Sequence, residues 1–298
     1  MVLVATMISH TLIFADLVNF ESFFLEFSDT ISNETNSDTD FGVVNHNYRI
    51  SVYEITNAQF AYFAINNSSY AGANLPVNNV SWYEAAKFVN WLNTIKGYQV
   101  AYYFDCDLFS LWDSSVAADN GNNLYRHKDA VFFLPSEDEW VKAAYWNGTA
   151  LQAYTKIDDI APMAGADSNF YQTSPFVGPW GVGTGFREIH DTYDMMGNVW
   201  EMVESNFGLN YDTLASRAMR GGGFDSAAIW LSSSMRIPLF PGNGIGQAGF
   251  RVASKIPEET CINKPVGDLD GDCTVDLLDF TLFLNSWMHC GLLEGCPN

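Results

Sequence analysis

The segment DLDGDCTVDLLD sets acids at Asp268, Asp270, Asp272, Asp276 and Asp279. Counted from Asp268, these are positions one, three, five, nine and twelve of a calcium loop, with Thr274 supplying a backbone carbonyl at position seven. Carboxylates gathered this closely repel one another unless a cation lies among them, so the spacing predicts bound Ca²⁺. Cys273 stands where such loops favour Gly, and Asp279 rather than Glu closes the loop. Both departures weaken or reshape the site. Asp279 falls on the first turn of an expected helix, LLDFTLFLNSW.

Elsewhere the reactive side chains are scattered. A non-heme iron triad needs two histidines and a carboxylate. The histidines are His10, His46, His127, His190 and His289, no two close in sequence, and His127 with His190 is the pair that folding could bring together. No Ser occupies a nucleophile elbow. Cys261, Cys273, Cys290 and Cys296 crowd the C-terminal segment, while Cys106 stands apart. Such crowding suits one or two disulfides that staple a small segment, with the pairing open. Zinc is the alternative, and no CxxC pair supports it.

Composition narrows the partners. With 35 acidic against 14 basic residues the net charge is -21. That charge repels phosphate backbones and anionic lipid, which excludes nucleic acid and membrane surfaces as partners and suits calcium, cationic groups or neutral glycans. Hydrophobic content of 48% with 15% aromatics predicts a folded protein, and 298 residues suffice for one large core or for a core plus a small appendage. Residues 1–15, MVLVATMISHTLIFA, read as a signal peptide ending on Ala15, although the first basic residue is Arg49. A buried strand is the other reading. No other run is long enough for a membrane span, so the chain is expected to be secreted or on the exterior of the cell envelope.

The elements that position these residues announce their own starts. TNAQFAYFAI, SWYEAAKFVNWLN and SEDEWVKAAYW each place Ser or Thr three residues before Glu or Gln, at Thr56, Ser81 and Ser136. This is a capping box. Trp82, Ala85, Ala86, Val89 and Leu92 then share one helical face, as do Trp140, Ala143 and Ala144, with Gly97 and Gly148 as stops. From Gly148 to Ala253 the sequence is rich in Gly, Asn, Tyr and Pro, which predicts short strands joined by long ordered loops. Residues 98–132 read as a surface insertion. A polar linker is expected over 255–266, ahead of a separate tail over 267–298.

The motifs YEITNAQFAYF, LPVNNVSWYEAAKFVNWLN, FLPSEDEWVKAAYW, YDMMGNVWEM, RGGGF and GFRVA occur in this order. Together they resemble the formylglycine-generating-enzyme, or sulfatase-modifying factor, family over residues 41–254. The resemblance implies an α+β fold, a C-type lectin-like variant with sparse regular structure, here joined to a small EF-hand-like loop-helix tail. The tail itself resembles one repeat of a type I dockerin, which implies a calcium-clamped tether and a cohesin-like scaffold as its partner. A dockerin has two repeats, and this tail has one.

Family members that make formylglycine use a cysteine pair to bind copper, and soft thiolates are what Cu(I) requires. On that motif this chain carries Ser226 and Leu231. Formylglycine generation is therefore not expected, and neither copper nor iron is an expected cofactor. The resemblance also implies a structural calcium ion held by Asp194, Gly197, Val199 and Glu201, and a second near Asn169 and Phe170. Arg220, Arg236 and Arg251 lie in scaffold motifs and read as core guanidiniums that tie loops together. The expected function is recognition of a glycan or polypeptide in a groove near Ser226 and Trp230. The alternative is a metal-dependent oxidoreductase with a rearranged site.

Overall fold

The computed structural model describes residues 25–28, 31, 41–44, 46–64, 72–171 and 178–255. The leader, the tail loop from Asp268 to Asp279 and the four C-terminal cysteines lie outside the described residues. The described residues fall within a compact unit that ends at Lys255, and none of their helices is long and apolar enough to cross a membrane.

In chain order the elements are β1 (Tyr48–Ile50), α1 (Asn57–Phe63), α2 (Trp82–Ile95), β2 (Tyr103–Asp105), β3 (Leu108–Ser110), β4 (Asn123–His127), β5 (Phe132–Phe133) and α3 (Glu137–Tyr145). Then come β6 (Trp200–Asn206), β7 (Arg217–Arg220), β8 (Ile237–Leu239), β9 (Ala248–Gly249) and β10 (Ala253–Lys255). Few helices and short strands separated by long loops are what the sequence predicts. All three expected capping boxes form: Thr56, Ser81 and Ser136 each accept from the third amide while Gln59, Glu84 and Glu139 reach back. Gly97 takes a φ of 76° just past the end of α2, where a side chain would be strained. Gly148 instead sits in the turn beyond α3, whose own cap, Trp146, is already extended.

Three sheets organise the described residues. β10 runs between β1 and β5, antiparallel to both, so Ala253 pairs Ile50 on one side and Phe133 on the other. This closes the unit by joining its first and last strands. The larger sheet has the order β8-β7-β6-β9, with β9 parallel to β6 and the other pairs antiparallel. β2 and β3 form a hairpin whose turn residues, Cys106 and Asp107, both have positive φ.

Against these sheets α2 buries Trp82, Ala85, Ala86, Val89 and Leu92 completely, each large apolar side chain contributing roughly 1.5–3 kcal/mol. The Trp82 indole also donates to Val203 O in β6, which fixes the helix to the sheet. The first turn of α3 carries three acids with separate partners. Glu137 takes Arg220 and Arg236, Asp138 takes the Gly42 amide, and Glu139 takes Arg126 and His46.

The stretch 98–132 departs from expectation. Rather than a surface insertion it supplies Tyr102, Phe109, Tyr125 and Arg126 to the interior. The Tyr102 hydroxyl donates to Glu204 at 2.8 Å, and the Tyr125 hydroxyl to Asp212 O at 3.0 Å. Polar loops around these aromatics hide their inward role in the sequence.

Candidate functional site

After β7 the chain turns through Gly221 and Gly222, at φ of 90° and 77°. A Cβ on Gly221 would lie 2.6 Å from Met195 O, so only Gly fits that approach. Ser226 then closes the turn: its Oγ accepts from Gly223 N, and its own amide donates to Gly223 O, both at 2.9 Å. Ser226 is buried and Leu231 is fully so, its side chain part of the hydrophobic core.

Between them a 3-10 turn, Ala228–Leu231, carries Ile229 and Trp230 outward. Trp230 is 37% exposed and stands edge-on to Trp200, with ring centroids 6.0 Å apart. Trp200 N donates to Gln247 O, and Tyr171 N donates to Ser226 O, so three separate segments meet at this loop. Of the two residues expected to face a ligand, Trp230 is part-exposed, and Ser226 is buried with its oxygen held in the turn. What the surface offers is a part-exposed indole, with Ile229 and Tyr171 exposed on the segments that meet at this loop, chemistry suited to stacking.

The thiol and imidazole groups are placed elsewhere. Cys106 is exposed at the tip of the β2–β3 hairpin. His127 packs its ring against Trp112 at 4.7 Å, and its Nδ1 accepts from Asp129 N. His190 Nδ1 bonds Ala143 O, and burial lowers its pKa. His46 bonds Glu139. Each of these nitrogens is engaged with a different neighbour, and among the described residues His46, His127 and His190 do not join a group that could hold a metal ion.

Behind the Gly221 loop lies a buried polar core. Gly197 N donates to Gly221 O at 2.9 Å and Phe224 N to Asn198 O at 2.7 Å, which seats the loop on the GNVWE turn. Asp194 accepts from Trp180 Nε1 and Gly183 N, and burial pushes its pKa up to about 6. Glu201 accepts from Trp140 Nε1 and from both Nε and Nη2 of Arg251. Asn198 Oδ1 accepts from Trp180 N and from Asn169 Nδ2, so the residues near both expected calcium positions are linked through it. Glu54, 1% exposed, takes Asn198 Nδ2 on Oε2, and its Oε1 has no partner.

The oxygens of this core are carboxylates and carbonyls, the donor class of a hard cation, and those of Asp194 and Glu201 already accept from N–H groups. Among the described residues no three His, Cys, Asp or Glu side chains form a group that could hold a metal ion.

Sequence reasoning passed over Glu54, Asn198 and Trp180, although Glu54 and Asn198 lie inside the quoted motifs. It also passed over Arg217, fully buried, whose guanidinium carbon lies 4.0 Å from the Tyr125 ring centroid and 4.2 Å from that of Trp82. Three core arginines were legible as loop ties. Arg220 and Arg251 are fully buried, and Arg236 is part-exposed and bidentate on Glu137.

The profile of the FGE-sulfatase family, the sulfatase-modifying factor enzyme 1-like domain, matches residues 26–256. The chain belongs to this family. No curated protein matches it. Among solved structures the FGE-type domain is similar to Treponema denticola variable protein 1, at 20% identity and a TM-score of 0.61 over 77% of this chain and 95% of that one. It is similar to CarF at 20% identity and a TM-score of 0.59, covering 78% and 98% of the two chains. PvdO from Pseudomonas aeruginosa follows at 17% identity and a TM-score of 0.51, covering 77% and 92%. At these identities the likeness shows the FGE-like fold, consistent with the C-type lectin-like architecture, and leaves activity to the site's own residues.

Proposed function

We propose that this FGE-type domain is an exported, calcium-stabilised binding module that recognises a glycan or a polypeptide through the surface around Trp230. The observation that carries the reading is the state of two positions. Where the copper-binding cysteines of formylglycine-generating members would fall, Ser226 is tied into its own turn and Leu231 is sealed in the core. Neither supplies a soft ligand. The neighbouring Trp230 is part-exposed beside Trp200, and an exposed indole suits stacking against a flat apolar face. A fold made mostly of ordered loops presents such a surface on a rigid frame. The tail loop at Asp268, Asp270, Asp272, Thr274, Asp276 and Asp279 would act as a calcium-clamped tether to a cohesin-like scaffold.

Glycan and peptide arrays probed with the full chain in calcium test the reading. A saturable ligand whose affinity falls by about 10-fold or more in Trp230→Ala is the expected result. Ligands bound equally well by wild type and Trp230→Ala would place recognition elsewhere, and an array without binders would remove the binding-module reading.

A further inference from the structure

The β2–β3 hairpin divides its aromatic residues between two faces. Phe104 and Phe109, paired across the strands with ring centroids 5.5 Å apart, pack against the core, and Phe109 is buried beside Trp82. Alternation along each strand then sends Tyr103 and Asp105, with Leu108 and Ser110, to the other face. Tyr103 pairs with Ser110, so Trp112 lies diagonally across from it, a spacing that aromatic side chains bridge. The two rings do meet, with centroids 5.2 Å apart and planes inclined by 31°.

This outward face is held in place and is polar at its margins. The Trp112 indole donates to Ala101 O at 2.8 Å, its amide donates to Leu124 O, and its ring stands edge-on to His127. Tyr103 rests against that anchored ring and is 40% exposed. Among the described residues no partner is found for the side-chain oxygens of Tyr103, Asp105 or Ser110. The basic residues of the region are engaged, Lys87 with Asp107 at the hairpin tip and Lys128 with the Ser115 carbonyl.

We propose that this hairpin face is a second recognition site, independent of the Trp230 surface, and that its ligand is a neutral oligosaccharide. A pyranose ring presents a flat C–H face edged by hydroxyls. Tyr103, anchored on Trp112, supplies an aromatic surface for the first. The Asp105 carboxylate and the Ser110 and Tyr103 hydroxyls supply hydrogen-bonding oxygens for the second, and a bond to the charged carboxylate is the stronger kind. An apolar peptide side chain is best held in a concave, desolvated pocket, whereas this face belongs to an open two-stranded ribbon. A carboxylated or sulfated glycan would meet Asp105 and a chain of net charge -21, with Lys87 and Lys128 already engaged.

The test uses the full chain carrying Trp230→Ala, which removes the other surface from the measurement. It is titrated by calorimetry with cello-, manno-, malto- and chito-oligosaccharides, and with an oligogalacturonate as the charged counterpart. At least one neutral oligosaccharide should bind saturably, and adding Tyr103→Ala should weaken it about 10-fold or more. Tyr103→Phe keeps the ring and should restore most of the affinity. Asp105→Ala removes no side-chain hydrogen bond among the described residues, so it keeps the fold intact, and it should weaken binding about 5-fold. It decides the matter should Tyr103→Ala melt far below the parent. Neutral oligosaccharides that all fail to bind, a ligand held equally well after Asp105→Ala and Tyr103→Ala, or oligogalacturonate bound as tightly as the neutral sugars would each overturn the proposal. None of these outcomes bears on Trp230, which is absent from every chain compared.

Discussion

Arg251 lays the edge of its guanidinium along the Glu201 carboxylate, Nε on Oε2 and Nη2 on Oε1, both at 2.6 Å and both fully enclosed. The Trp140 indole donates to the same Oε2 at 2.7 Å, so helix α3, strand β6 and the segment before β10 meet at one charge pair. Removing one member leaves the other buried and uncompensated. Glu201→Leu should therefore lower the unfolding free energy by about 3–5 kcal/mol. Urea melts in EDTA measure this, and because the pair is sealed from solvent the loss should be the same at low and at molar salt. A loss below about 1 kcal/mol, the range of exposed pairs, would show that the pair is solvated.

Which parts of this molecule could be read in advance follows from how far apart in sequence the interacting groups lie. Capping boxes span three residues, so Thr56, Ser81 and Ser136 declare their helices locally. The apolar face of α2 is legible for the same reason, since its period is contained in the segment. Glu54 and Asn198 are 144 positions apart, Arg236 and Glu137 99, and Arg251 and Glu201 50. A charged residue in such a pair looks like any solvated residue until its partner is known. Tyr102 and Tyr125 were obscured in the same way, because their hydroxyls reach Glu204 and Asp212 O across long separations. That Ser226 and Leu231 stand where the resemblance puts the copper-binding cysteines was legible from the sequence. That Ser226 would be tucked under its loop while Trp230 stayed open required the turn geometry.

Glycines at positive φ divide by what lies beyond the missing Cβ. Gly197 has a φ of 83°, and a Cβ would lie 2.4 Å from Asn169 O and 2.5 Å from Ser168 Oγ. Gly148 has a φ of 92° with nothing within 4 Å. Gly148→Ala should cost only the conformational penalty, about 1–2 kcal/mol. Gly197→Ala adds a clash with backbone and should cost about 3 kcal/mol or more. It should also loosen the turn that seats the Gly221 loop. Thermal melts of the two variants side by side check the order, and equal costs would mean that the turn relaxes freely.

Arg126 stands between two acids that titrate in opposite senses. Its Nη groups meet Glu139, which also takes His46, and its Nε lies 3.4 Å from Glu204. Although burial opposes it, the charge of Arg126 with the bond from His46 holds Glu139 at about 2. Burial, reinforced by Glu139, pushes Glu204 up to about 7. Glu139 thus contributes stability that is present above the ordinary carboxylate range and lost as pH falls toward 2. Glu204 does the reverse. Folded, it keeps its proton up to about 7, while the unfolded chain releases it near 4.5, so its contribution is lost as pH rises through that window. Glu204→Gln mimics the protonated form and cannot ionise. Whatever it costs in its bonds to Tyr102 and Asn123, that cost should be constant with pH, while the variant gains on wild type by about 2 kcal/mol between pH 5 and pH 7.5. Urea midpoints at the two pH values give the difference directly. Parallel pH profiles for wild type and Glu204→Gln would show that Glu204 is already ionised at pH 5, with Arg126 balancing it.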